Sequence, residues 1–548
     1  MQQKNEHKLA SWYNLYQNNN LIDFSFEHFV REIDNLFPNN SFYTRPNSTV
    51  YGIEFNSLDQ YGFGNLNIYT LLNLADIFET THNKSGLFRK KARILFATSE
   101  ESIFPANLGQ YLTSYLKDKK HFVYGFNVSQ VNQFVFQAAI NSLDIDYAFY
   151  LNFNPCNNKY YLQIYSGKGL ISLEEQEELI TQLYQWKKHF IFPNNHELIT
   201  LNINKVIDSN IKKVLARYVN RENKLDYYAS LSVYLMVEDD SASYILERFF
   251  NQVNIKYSKL NPMLNKDLLS PSPIVFWRWL RTANYKADLI IILNKHNDLK
   301  LITRTKEGYV TLNDDEIAFL YINSQYLHWK QKGLLENEQI FIPMNAADFI
   351  ISNLENYKIQ YKFENELSNA NNVLFAYGQG FSNSLEMNLN YDNLEFLFNF
   401  CFMLLNYKEN NNLFTFKYKK MTEASHFTSL NTYSVKKNVA EMQVLFDYLI
   451  ANPDVLGKYK IEKLRAINYD SNKYQYLFNL RLKTKHNKNN IYVSFNKSTN
   501  QVEFKFETNI NLYKINHFIE KWYTIYIQKK IVKKLTYLVN KLNKSKKK

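Results

Sequence analysis

The chain has 548 residues, is 45% hydrophobic and 16% aromatic, and carries a formal net charge of +13. That length exceeds a single core of ~100–200 residues, so several domains are expected. Two cysteines, Cys156 and Cys401, with no CxxC pair, exclude a disulfide framework and fit a reducing, cytoplasmic interior.

The opening MQQKNEHKLASWY has no apolar signal core. From there to residue 195 strands and helices alternate. RILFAT (Arg93–Thr98) reads as a strand, NLGQYLTSYLKD as a helix, HFVYGFNV as a strand, VNQFVFQAAINSL as a helix and DYAFYLNF as a strand. A β-α-β-α-β series implies a largely parallel sheet. A second block, 196–312, repeats the pattern with LSVYLMV, SYILERFFNQV and ADLIIIL, the last ending in the polar loop NKHNDL. The acidic run Glu238, Asp239 and Asp240 between its first strand and helix reads as a solvated turn at a helix N-terminus, where carboxylates suit the dipole.

A third block, 313–426, opens on the helix EIAFLYINSQYLHW and continues with AADFIISNLEN, a helix, and NNVLFAY, a strand. Its longest apolar run, LEFLFNFCFMLL, falls short of the ~20 residues of a membrane span and is expected as a buried helix. The fourth block, 427–548, differs in kind: NIYVSF and QVEFKFET flank the turn NKSTN as a hairpin, with helices NVAEMQVLFDYLIANP and INLYKINHFIEKWYTIYIQKK beside it. The expected fold is therefore α/β, with three α/β mixed-sheet domains followed by an α+β domain. The lysine-rich tail, IQKKIVKKLTYLVNKLNKSKKK, has an amphipathic pattern with lysines on its polar face, able to meet an acidic surface of nucleic acid, anionic lipid or protein, and its plain reading is a solvated terminal helix. No arginine–aromatic motif supports nucleic-acid binding.

This order, with its landmarks, resembles the α-D-phosphohexomutase superfamily of phosphoglucomutases and phosphomannomutases. The family reads ADLVIATDPDADRLGVAV and, further on, GGYRLLNGNEIGALL, where this chain reads ADLIIILNKHNDLKLITRTKEGYVTLNDDEIAFLY. NLNIYT, the NP of LNFNPCNN, SPSP, LFAYGQGF and NIYVSFNKSTNQVEFKF follow in matching order. Abundant Asn, Lys, Tyr, Phe and Ile with scarce Gly and Pro fit AT-rich coding of the mycoplasma kind.

The resemblance implies a phosphoserine loop, three aspartates holding magnesium, a glutamate-bearing sugar loop and a phosphate loop. It places Asn152 at the serine and Phe153 at the neighbouring histidine. An amide has no hydroxyl to carry a phosphoryl group. Asn294, His296 and Asp298 fall at the three aspartates, with Leu299 at the following arginine. One carboxylate, one amide and one imidazole are a poor set for magnesium, which prefers hard oxygen ligands in octahedral array. The paired glutamates of the sugar loop become Gly378 and Gln379, and the phosphate-loop arginine falls near Ser494. Lys497, Ser498 and Thr499 remain as a weak anion cradle, or as a plain hairpin turn. A basic residue after RILFAT becomes Glu100.

Losses at every functional loop on an intact scaffold predict a protein without cofactor or turnover, kept as a structural or protein-binding subunit of a larger complex. Two alternatives stay open: a diverged active mutase using magnesium, and a phosphosugar or anion sensor without turnover.

Overall fold

The computed structural model describes residues 2–49, 51–82, 91–99, 104, 106–154, 158–166, 169–185, 198–218, 231–259, 286–294, 298–306, 308–369, 373–378, 380–382, 393–409, 414–424, 428–471, 473–483, 488–497, 499–509 and 518–546. Two compact units emerge, one spanning Met1–Asn220 and the other holding the three later sheets.

In the first unit the parallel strands Tyr147–Asn154, Arg93–Thr98, Phe122–Phe126 and Ile199–Leu201 lie side by side. Lys159–Ser166, Gly52–Phe55 and Asn47–Thr49 then continue the sheet antiparallel. The mixed sheet has its reason in connection length. Only four residues separate Tyr147–Asn154 from Lys159–Ser166, too few for anything but an antiparallel neighbour, whereas the parallel strands are joined through helices. Ile199–Leu201 and the helix Ile203–Tyr218 carry this unit past residue 195. The N-terminal helix Gln2–Asn18 delivers Trp12, fully buried and stacked on Tyr69 at 4.1 Å between ring centroids.

The second unit builds three sheets in succession. Lys256–Lys259, Ser232–Val237 and Leu289–Leu293 are parallel, and Leu299–Thr305 and Gly308–Leu312 complete that sheet antiparallel. Every residue of Leu289–Leu293 is buried, as expected for a central strand of branched apolar residues. Asp239 caps the helix Asp240–Gln252 by accepting from the Ser241 N–H, which is the role of the acidic run. A second sheet takes Tyr361–Phe363, Gln339–Ile342, Val373–Tyr377 and Phe381–Ser382. The helix Asp314–Gln331 beside it starts on a reciprocal capping box between Asn313 and Glu316. The run 394–405 lies in the helix Asn393–Glu409 and is largely buried.

The last sheet is wholly antiparallel, in the order Thr428–Val435, Gln501–Asn509, Lys488–Asn496, Tyr474–Lys483, Lys460–Asp470. The hairpin closes at the pair Asn496 and Gln501. The tail is amphipathic rather than wholly solvated: Phe518–Lys546 is one continuous helix, with Ile531, Leu535, Leu538 and Val539 buried in the hydrophobic core beside the last sheet. Its apolar residues recur at three- and four-residue spacing, so burying that stripe outweighs leaving the helix in water. Among the described residues, no helix is long and apolar enough to cross a membrane.

Candidate functional site

In the first unit, Asn152 lies inside the strand Tyr147–Asn154 and is paired with Tyr161 across the ladder. Phe153 and Asn154 stay in register with Tyr160 and Lys159, so the residue expected at the nucleophile position lies in a strand rather than a loop. The Phe153 N–H also donates to Ser99 Oγ at 3.1 Å, and the Phe153 ring meets Tyr160 at 5.0 Å. Pro155 and Cys156 of the same motif, and Glu100, lie outside the described residues.

In the second unit, Asn294 with Asp298 and the segment of Lys497 both meet the stretch that bears Lys473. Asn294 ends one strand and Asp298 precedes the next, and they close on each other. Asp298 N–H donates to Asn294 Oδ1 at 2.8 Å, and Asn294 Nδ2 donates to Asp298 Oδ2 at 3.0 Å. The other oxygen, Asp298 Oδ1, stands 2.5 Å from the ammonium of Lys473, which enters from the turn before Tyr474–Lys483. Both side chains are largely buried, at 10% and 15% exposure. Burial alone would lower the Lys473 pKa, but Tyr474, Asp298 and Asp314 outweigh it and hold the ammonium well above the usual lysine value. Burial pushes the Asp314 carboxyl up, against the pull of Lys473 and Lys505. His296 lies outside the described residues.

Lys497 braces the turn that bears Lys473. Its Nζ is 2.5 Å from Asp470 Oδ1 and donates to the Ser471 carbonyl at 2.7 Å, and its backbone N–H donates to the Lys473 carbonyl at 2.9 Å. An anion arriving here meets a lysine already facing a carboxylate. The Thr499 N–H donates to Asn496 Oδ1 at 3.3 Å, and Ser498 lies outside the described residues. Ser494 is buried within the strand Lys488–Asn496.

A second buried pair lies alongside. Lys505 Nζ is 2.5 Å from Asp315 Oδ2 and donates to the Asn345 carbonyl at 2.8 Å, while the Tyr377 hydroxyl donates to Asp315 Oδ1 at 2.9 Å. Glu507 Oε1 accepts the Asp348 N–H at 2.9 Å, and burial first, then Asp348, pushes its carboxyl up to about 7. Gly378, expected at the sugar-loop position, has φ +146°, and a Cβ there would sit 3.1 Å from Pro343 Cβ. Only glycine fits that backbone. Gln379 and the SPSP segment lie outside the described residues.

The comparisons with solved structures speak to the scaffold. A protein from Thermus thermophilus, provisionally named a phosphomannomutase, superposes with a TM-score of 0.53 at 11% identity, covering 86% of this chain and 96% of that one. The fold is that of the phosphohexomutases. A phosphoglucomutase/phosphomannomutase family protein from Burkholderia thailandensis gives a TM-score of 0.48 at 11% identity, over 86% of this chain and 93% of that one. An N-acetylglucosamine-phosphate mutase of the alpha-D-phosphohexomutase superfamily gives 0.32 at 11% identity, over 73% and 97%. No protein-family model matches the chain, and no curated protein matches it.

Magnesium, which the phosphohexomutase fold implies, does not fit the described residues. Of the expected ligands, Asp298 has one oxygen against an ammonium and the other against an amide. A divalent ion there would sit beside a buried positive charge and would have to expel it. Among the described residues no three His, Cys, Asp or Glu side chains group as a metal site. The sequence reading missed Lys473, Lys505 and Glu507. Lys473 has no local signal, since its partner lies beside another sheet, far along the chain. Lys505 and Glu507 sit in an alternating strand whose outward positions look solvent-facing until another domain covers them.

Proposed function

We propose that this chain is a non-catalytic protein built on the phosphoglucomutase and phosphomannomutase scaffold, retained as a structural or protein-binding subunit of a larger intracellular assembly. The observation that carries the reading is the Lys473 ammonium held 2.5 Å from Asp298. At the position where the resemblance implies a magnesium ion, this chain supplies its own cation, fixed by a covalent tether and braced by Lys497. A tethered ammonium neutralises Asp298 but cannot bridge to a transferring phosphate as a coordinated metal does.

The nucleophile position supports the same reading. Asn152 presents a carboxamide on a hydrogen-bonded strand, so a phosphoryl relay through that position has no acceptor. Removing one such group from an enzyme costs ~10²–10⁴ in rate, and here two differ together. The purified chain is therefore expected to form no glucose 6-phosphate from glucose 1-phosphate with magnesium. Turnover above a protein-free control would overturn the non-catalytic reading. Recovery of the chain from its native cells without a stoichiometric partner would overturn the assembly reading.

A further inference from the structure

The C-terminal helix Phe518–Lys546 buries one side and presents the other. On the presented side Tyr523, Tyr526, Lys530, Lys533, Tyr537 and Lys541 are all exposed and recur at three-, four- and seven-residue spacings, which place them on one face. The three rings are 53%, 44% and 65% exposed. Exposed Lys544 extends the row, which runs for ~32 Å at the helical rise of ~1.5 Å per residue. No Asp or Glu occurs between Lys521 and Lys548. Among the described residues, no ion pair reaches Lys530, Lys533, Lys541 or Lys544. Lys530 instead lies over the Tyr526 ring, 4.9 Å from its centroid, and Lys458 adds a charge close enough to act on the same tyrosine.

A row of unneutralised cations calls for an anionic partner, and the composition selects among three. Protein interfaces favour tyrosine but are depleted in lysine, and the four lysines of this row make it a poor protein contact. Base readout draws on Arg, Lys, Asn and Gln reaching into a groove, and this row offers no arginine, asparagine or glutamine. A bilayer surface is planar and presents phosphates continuously. Four to eight clustered lysines on a helix match its charge, and tyrosine rings favour the headgroup layer. We infer that this face of the C-terminal helix docks the protein on an anionic lipid surface, with the lysines among lipid phosphates and Tyr523, Tyr526 and Tyr537 in the headgroup layer. The apolar stripe of the helix stays in the domain core, so the contact is peripheral and reversible. The inference is independent of whether the chain turns over a sugar phosphate.

The test is co-sedimentation of the full chain with vesicles of phosphatidylcholine alone and of phosphatidylcholine mixed with phosphatidylserine. Binding is expected only to the mixed vesicles, and to fall as salt shortens the screening length from ~10 Å toward ~3 Å. The double variant Lys530→Gln/Lys533→Gln should bind ~25-fold more weakly, at about fivefold per lysine. Lys212→Gln/Lys362→Gln, which removes the same charge from exposed positions elsewhere, should bind nearly as the native chain does. Unchanged thermal melts verify that each variant folds. The proposal is overturned by equal binding to both vesicles, by no binding to the mixed ones at low salt, or by equal losses in the two variants. Retention on duplex DNA at matched phosphate with none on vesicles would assign the row to nucleic acid and overturn it too.

Discussion

Replacing Lys473 by Met tests whether the ammonium neutralises Asp298. At 2.5 Å the pair's attraction is ~7 kcal/mol at an effective dielectric of about 20, before the cost of removing both charges from water is subtracted. Removing one partner of a buried pair leaves the other uncompensated, typically at ~3–5 kcal/mol. Asn294 still donates to Asp298 in the variant, so the lower end, ~3 kcal/mol, is expected. In a thermal scan of the full chain that is a fall in Tm on the order of 5 °C. Adding Asp298→Asn to Lys473→Met removes the stranded charge and should recover most of the loss, with a coupling of ~2 kcal/mol in the double-mutant cycle. The Lys473 pKa is raised, so its stabilisation is present throughout neutral pH and is lost only as pH rises through the lysine range. Millimolar magnesium should leave the native Tm unchanged. A Lys473→Met variant as stable as the parent, or a native chain stabilised by magnesium, would refute the substitution of ammonium for metal.

Two further outcomes follow from the same domain. Glu507 keeps its proton up to about 7 when folded, against an ordinary 4.5, so between those values the native state binds more protons than the unfolded one. Stability should therefore fall as pH rises across that window, by ~3 kcal/mol at most, and Glu507→Gln should flatten the curve measured by urea denaturation at stepped pH. On the terminal helix, Leu535→Ala removes a fully buried side chain and should cost ~2–5 kcal/mol, whereas Tyr537→Ala, at 65% exposure, should change stability by less than ~0.5 kcal/mol in the same denaturation assay.

Local signals made much of the scaffold legible. The strand RILFAT occupies Arg93–Thr98 as its branched and aromatic residues imply, and the alternation of QVEFKFET gives a hairpin strand. Asn313 and Glu316, three apart before an apolar run, start their helix through a signal present in the sequence. The site was legible only as an absence of family groups at Asn152, Asn294 and Gly378. Lys497, expected as a remnant anion contact, lies against Asp470, a partner no hairpin pattern could reveal.

The sequence by itself determined the order of strands and helices, because hydrophobic period and capping chemistry act over a few residues and survive any arrangement of the domains. Only the tertiary structure decided that Lys473 meets Asp298 and that Lys505 meets Asp315. Those outcomes depend on which charges are brought within ~4 Å and shielded from solvent, and Coulomb energy at that range is set by chain closure rather than by neighbouring residues.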